Sequence, residues 1–399
     1  MPSSKYLTAA QVAAALGISR SSVYAYVSRG RVRAYPHPSD SRASVYSATD
    51  VDTLRRRKEA RRNPEVAAKQ NLAWGMPVLE SGITLIRDGR LYYRGLDVVN
   101  LAEHATFEEV AHLLWHDNDS EPIRFPACRR FNTAETRPTT PIARMQSMLP
   151  LIAARDRHAF DTSRPAVTNA GRRIVAGLAI GAAPARNQQG LVAARLARAW
   201  RREHPYVERA LNLVLTVCAD HELNASTFAV RVVSSAGGSP YDAVAAGLAA
   251  LRGYRHGGDT ERVENLLDEV RRPASFVRLL VKRTLQGTGT PGFGHPLYPD
   301  GDPRAAAMLN LLTTYWTDTT AAALAAALHA QRMQQPIDYP NLDFGLVLLR
   351  RALGLPRGAA LALFALGRSA GWIAHALEQY ETAQLIRPRA LYAGPRPID

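Results

Sequence analysis

The stretch SFVRLLVKRTLQGTGTPGFGHPLYPDGDPR, Ser275 to Arg304, decides the fold. Gly287, Gly289 and Gly292 match the G-x-G-x-x-G of a dinucleotide loop, but such a loop needs a strand before it and a helix opening at its last glycine. Here Ser275 to Gln286 reads as a helix, and Pro291 and Pro296 obstruct any helix directly after. No Gly-Lys-Ser/Thr follows, so a phosphate-cradling Walker loop is excluded as well. Asp300 and Asp302 alternate like metal ligands, yet no Glu stands where the twelfth position of a calcium loop would fall, and just before Pro303 they read as turn and helix-capping residues. His295 and Arg304 are left, a pair suited to a small anionic acid.

Outward from this stretch the pattern stays helical. TFEEVAHLLW opens with Thr106 and carries Glu109 three residues later, a capping box. YVERALNLVLTVCAD, SPYDAVAAGLAALRG, RAAAMLNLLTTYW, TAAALAAALHAQRM and GAALALFALGRSAGWIAHALEQYETA repeat apolar residues at three- and four-residue spacing. ITLIRDGRLYYRGLDV is the exception, where alternating apolar residues flank Asp88-Gly89 and predict a hairpin. The body is therefore expected to be all-α and not a βαβ sheet.

Composition narrows the class. Of 399 residues, 46% are apolar and 21% charged, ordinary for a folded domain, and the length predicts two or three domains. No run of about 18 apolar residues predicts a membrane span, and no signal peptide is legible, so a cytoplasmic protein is expected. Cys128 and Cys218 lack C-x-x-C spacing and read as reduced filler. The charge is uneven: residues 1–70 hold thirteen Lys/Arg against five Asp/Glu. That imbalance points to a polyanionic partner.

TAAQVAAALGISRSSVYAYVSRGRV predicts helix, turn, helix. Thr8 and Gln11 form a capping box, Gly17 ends the first helix, and Ser19 caps a second through about Ser28. The segment resembles the helix-turn-helix modules of the MerR and excisionase type, with a wing-like stretch after it and a basic helix ending RRRKEARR. The resemblance implies a DNA partner. Arg20, Ser21 and Tyr24 would face the bases, while Arg31, Arg33, Arg42 and Arg55 to Lys58 would meet phosphates. A small module for protein contacts is the competing reading. Asn63-Pro64 should stop the basic helix.

CADHELNASTFAVRVVSS, GLAALRGYRHGG, GFGHPLYPDGDPRA, NLDF, FALGRSAGWIAHALEQ and LIRPRALYAGP, in this order, resemble the citrate synthases, including the 2-methylcitrate synthases. The resemblance runs from about Val78 to Pro395. It implies a two-domain helical fold, with a large domain at 76–257 and 356–399, a small domain at 258–355, a helix-turn-helix domain at 1–62 and a linker at 63–75. It also implies condensation of a short acyl-CoA with oxaloacetate, giving citrate or a homologue and CoA, with no metal or redox cofactor. By this resemblance Asp343 is the base that takes a methyl proton, His256 donates to the thioester oxygen and His295 polarises the ketone. His221, Arg304, Arg368 and Arg387 hold carboxylates, and Gly292, Phe293 and Gly294 lie along CoA. The family's equivalent of Arg387 reaches in from a second subunit, so a homodimer is implied.

Other readings stand beside these. Asp343 follows a turn and could cap a helix; Arg368 could be a surface arginine; His104, His112, His116, His158, His204, His329 and His375 read as surface or satisfied residues. The family's GPLHGGAN is here GYRHGGDT, which sets Arg255 and Asp259 beside His256, and Gly345 to Val347 replace a common YSG. A regulator whose synthase-like body only senses a metabolite is the alternative function. Such a sensor needs the arginines but not Asp343 and His256. One methylene is worth only about 1–3 kcal/mol in a pocket, so acetyl-CoA and propionyl-CoA are not distinguished.

Overall fold

The computed structural model describes residues 6–37, 40–48, 50–52, 54–55, 79–115, 123–127, 140–184, 189–270, 273–286, 289–332, 338–390 and 392–395. The chain divides into two compact units between Glu80 and Ser81.

In the first unit, strand β1 (Tyr6–Thr8) leads into α1 (Ala9–Leu16) and α2 (Arg20–Ser28), followed by β2 (Ala34–His37) and β3 (Asp40–Ser47). The expected capping box is present: Gln11 N–H donates to the Thr8 hydroxyl, and Thr8 N–H donates to Gln11 Oε1 at 2.8 Å. Gly17 ends α1 with φ 58°, and Ser19 accepts from Ser22 N–H. Val12, Leu16 and Val23 pack with Val32, Tyr46 and Val51, and Ile18, Tyr26 and Val27 lie against them. The antiparallel sheet has the order β1-β3-β2, and β2 with β3 forms the wing. Residues 56–78, which hold the rest of the basic run and the linker, lie outside the described residues.

Two of the arginines expected at phosphates carry ion pairs within the module. Arg33 donates from Nε and Nη2 to the two carboxylate oxygens of Asp50, each at 3.0 Å, so this arginine braces the module. Arg55 pairs with Asp52 at 2.8 Å, one turn away. Paired guanidinium groups have less charge to offer a polyanion than their number suggests.

In the second unit the Asp88-Gly89 signal yields β4 (Thr84–Arg87) and β5 (Arg90–Tyr93), paired antiparallel, with φ 51° and 74° at the two turn residues. That double positive φ is the geometry a two-residue hairpin requires. A second such turn at Arg94-Gly95 adds the short strand β6 (Leu96–Asp97), which the sequence pattern did not reveal. The other elements are helical: α3 (Val98–His104), α4 (Phe107–Trp115), α5 (Pro141–Ala153), α6 (Arg164–Ala182), α7 (Val192–Ala199) and α8 (Val207–Cys218). They continue with α9 (Ala225–Ser235), α10 (Pro240–Leu251), α11 (Asp259–Asp268), α12 (Pro273–Leu285), α13 (Pro303–Tyr315), α14 (Thr320–Arg332), α15 (Leu342–Ala352) and α16 (Ala359–Thr382). The helix expected ahead of the glycine loop is α12, and residues 289–302, which lead into α13, are non-helical.

α16 is the axis of the core, touching α4, α6, α8, α9 and α10. Among the described residues it is the one helix long and apolar enough to cross a membrane, and it lies buried inside the unit. Its Gly367 and Gly371 let it approach the end of α8. A Cβ at Gly371 would fall 2.3 Å from the Ala219 carbonyl oxygen, and one at Gly367 would fall 2.6 Å from that of Leu215. This close approach sets the next residue, Arg368, against the turn that carries His221.

Candidate active site

Six of the expected residues arrive from six segments. His221 follows α8, in a turn where Glu222 adopts φ 51° and Asn224 caps α9 by accepting from the N–H groups of Ser226 and Thr227. His256 lies in the turn between α10 and α11, and His295 in the loop before α13. Arg304 stands in the first turn of α13, Asp343 in the first turn of α15, and Arg368 in the middle of α16.

Tyr298 joins the first group. Its hydroxyl lies 2.9 Å from His221 Nε2, its ring is 4.9 Å from that of His295, and the Arg304 guanidinium sits over it at 5.4 Å. The rings of His221 and His295 meet edge to face at 5.3 Å. His295 Nδ1 accepts the N–H of Leu297 at 3.2 Å, so in the neutral ring the proton is on Nε2. Burial first, then the nearby Arg304, lowers the His295 pKa to about 4. Burial and the charges of Arg304 and Arg368 hold His221 well below its ordinary value. His256 is lowered to about 3 by burial, Arg368 and Arg304. All three imidazoles are therefore neutral donors or acceptors at neutral pH.

His256 Nε2 lies 2.9 Å from the Ser226 hydroxyl. That oxygen accepts from Trp372 Nε1 at 3.3 Å and donates its own proton to Asn224 Oδ1 at 2.7 Å. Asn224 Oδ1 thus gathers the Ser226 hydroxyl and two backbone N–H groups, which fixes the serine oxygen beside the imidazole.

Arg304 and Arg368 differ. Arg304 is 3% exposed and donates from Nε and Nη2 to Asp302 at 2.9 and 2.8 Å. A cation in the first turn of a helix faces the positive dipole end; this one is balanced by Asp302 within the chain, not by a bound acid alone. Asp302 also caps α13 through Arg304 N–H and accepts from Leu342 N–H at 3.1 Å, so it ties Arg304 to the helix of Asp343. Arg368 is 1% exposed, which overturns the surface reading. Its Nε donates to the Cys218 carbonyl at 2.8 Å, but Nη1 and Nη2 are buried without a hydrogen-bond partner. Each such group costs about 1–3 kcal/mol when desolvated and unpaired. A carboxylate is the ligand whose two oxygens fit two parallel guanidinium donors.

Asp343 does not cap its helix; Asn341 does, accepting from the N–H groups of Asp343 and Phe344. Asp343 Oδ1 is enclosed and unpaired, and burial followed by the charge of Asp259 raises its pKa well above the usual carboxylate range. A carboxylate so raised is a stronger base. Gly292 has φ 80°, and a Cβ there would lie 2.7 Å from Val263, so only glycine fits. Phe293 bridges to Pro340, and Gly294 N–H donates to the Tyr339 carbonyl at 2.8 Å, which fastens this loop alongside the entry to α15. Arg387 is not with the other six: it is exposed on the segment after α16, where Ile386 N–H donates to Ser235.

Several contributors escaped the sequence reading. Tyr298 lay inside the quoted stretch; Asp302 caps α13 there as expected, but its pairing with the Arg304 side chain was not foreseen. His375, seven residues beyond Arg368 on the same helical face, is buried and pairs through Nε2 with Asp220 at 3.3 Å. Asp220 also accepts from Thr84 at 2.6 Å, anchoring the turn before His221 to β4. Ser226 had no signal of its own. Cys218 is a buried free thiol pushed up to about 12, as filler should be, and Cys128 lies outside the described residues.

The fold and these side chains define a class: a helical framework that gathers buried arginines, neutral imidazoles and one carboxylate of raised pKa. Residues 72–389 match the family described as citrate synthase, C-terminal domain, and residues 6–59 match a helix-turn-helix domain. Citrate synthase 2 of Bacillus subtilis is 30% identical over 80% of this chain and 95% of its own length. The citrate synthase of Haloferax volcanii is 31% identical over 82% and 96%. Among solved structures, citrate synthase from Pyrobaculum aerophilum superposes with a TM-score of 0.70 at 25% identity, covering 81% of this chain and 92% of that one. The citrate synthase of Thermoplasma acidophilum, in ternary complex with carboxymethyl coenzyme A and oxaloacetate, gives 0.68 at 25% identity, covering 81% and 96%. The chain belongs to the citrate synthase family and carries a helix-turn-helix module at its N-terminus.

Proposed function

We propose that the protein condenses a short acyl-CoA with oxaloacetate to give citrate or a homologue and free CoA, with the thioester as substrate and no cofactor. Asp343 removes a proton from the carbon next to the thioester carbonyl, while His256 donates to the carbonyl oxygen. The resulting enol carbon attacks the ketone carbon, and His295 gives its Nε2 proton to the ketone oxygen. Water then cleaves the thioester and CoA leaves with a thiol proton. Arg368, Arg304 and His221 hold the carboxylates. The observation that carries this reading is the pair of unpartnered, buried Arg368 nitrogens beside neutral imidazoles and a raised carboxylate.

A pure sensor has no use for a basic carboxylate and a neutral imidazole held by Ser226, which is why the enzyme reading is preferred. Thiol release from acetyl-, propionyl- and longer acyl-CoAs with oxaloacetate is the test, and also selects the acyl group. No release from any of them would end it. In the active dimer, the two-domain body would close over the cleft between 258–355 and the remainder, and Arg387 of the partner subunit would complete each site.

The N-terminal module is proposed to bind DNA through α2. Arg20, Ser21 and Tyr24 are exposed there, Tyr24 at 62%. Titration with duplex DNA across salt concentrations is the measurement; absence of binding even at low salt would remove the claim.

A further inference from the structure

Asp259 stands where the resembled motif has alanine, three residues beyond His256. It opens α11, and its Oδ2 accepts the N–H of Gly292 at 3.0 Å across to the glycine loop. Its Oδ1 is held by Arg262 Nη1 at 2.8 Å, one turn along the same helix. Gly292 in turn touches the start of α15: a Cβ there would meet Phe344 Cβ at 3.0 Å, and its carbonyl accepts from Asn341 N–H at 2.9 Å. One carboxylate thus connects the imidazole turn, the glycine loop and the entry to the Asp343 helix.

We propose that Asp259 is a positioning residue of the condensation site, which straps the glycine loop to the His256 turn and holds a fixed negative charge in the surroundings of Asp343. The inference rests on the proposed reaction. The charged groups acting on Asp343 are Asp259 from α11 and Asp302 and Arg304 at the start of α13. Arg368 of α16 acts on the neighbouring His221 and His256. Asp259 is the largest charge effect on Asp343 after burial, and it favours the protonated acid. Losing that charge therefore makes Asp343 a weaker base that stays ionised to lower pH.

The strap and the charge separate experimentally. Asp259→Asn keeps an oxygen for Gly292 N–H and removes the charge. Its acidic limb in kcat against pH should move to lower pH, with kcat lower by about threefold from the reduced basicity and KM for acyl-CoA near that of the parent protein. Asp259→Ala also removes the acceptor, and should raise KM for acyl-CoA while leaving KM for oxaloacetate little changed. A 13C-carboxyl NMR titration of Asp343 in the parent and Asp259→Asn proteins reads the same shift without turnover. An unmoved limb and titration in Asp259→Asn would overturn the charge role, and an unchanged acyl-CoA KM in Asp259→Ala would overturn the strap. If the parent protein itself releases no CoA, the reaction assignment fails instead, and the NMR titration still decides the charge role.

Discussion

Replacing Asp302 by asparagine tests the internal wiring most directly. Asp302 accepts from Arg304 N–H, Nε and Nη2 at 3.0, 2.9 and 2.8 Å and from Leu342 N–H at 3.1 Å. Both members of the pair are buried, at 1% and 3% side-chain exposure. Removing one partner of a buried pair leaves an uncompensated charge, a loss of about 3–5 kcal/mol. An unfolding entropy of about 2.1 cal/mol/K per residue gives about 1.5 °C per kcal/mol for a unit of this size, so the midpoint should drop by roughly 4–8 °C. Differential scanning calorimetry reads that directly. The pair Asp302→Ala/Arg304→Met leaves no buried charge and should recover most of the stability, while KM for oxaloacetate stays raised by about ten- to a hundredfold for the lost charged hydrogen bonds. An Asp302→Asn protein within about 0.5 kcal/mol of the parent would show that the pair does not organise this region.

Asp343→Asn should lower kcat by about a hundredfold or more while helical circular dichroism and melting stay close to the parent, because Asn341 and not Asp343 caps α15. Acid should destabilise the protein through its histidines: burial lowers His256 to about 3 and His295 to about 4 from 6.5, so the unfolded chain binds protons first. Stability is then full above about pH 6.5 and falls on acidification through that window by up to about 1.4 kcal/mol per pH unit per group, checked by urea unfolding from pH 7 to 4.5. Gly292→Ala should cost about 1–3 kcal/mol, from its positive φ and the 2.7 Å approach to Val263, with a raised acyl-CoA KM in the thiol assay. Mixing inactive Asp343→Asn and Arg387→Ala proteins should restore activity, since a mixed dimer has one site with both groups; no recovery after verified subunit exchange would refute a shared site.

Much of the framework was legible because it is local. Capping boxes at Thr8 and Thr106, the Asp88-Gly89 turn and the prolines around Gly292 depend on neighbours a few residues away, where side-chain chemistry acts on backbone groups directly. The second hairpin turn was missed because Arg94 takes a positive φ that its residue type does not advertise. The ion pairs of Arg33 and Arg55 were not legible because composition counts charges without showing that Asp50 and Asp52 lie beside them.

From the order of residues alone came the helical class of the body, the helix-turn-helix, and the candidate histidines, arginines and aspartate. Their state came from folding. Whether an imidazole is charged depends on burial, and whether an arginine is paired depends on which carboxylate lies within about 3 Å. Neither is a property of residue type. Arg304 and Arg368 look equivalent in one dimension, yet Asp302 satisfies one while the approach of α16 to α8 buries the other with two nitrogens unmet. Asp259 reads as a departure from a motif until the glycine loop is brought against it. Burial and long-range proximity are set by how the helices pack, and that packing converts a list of candidate residues into a site with a direction for each proton.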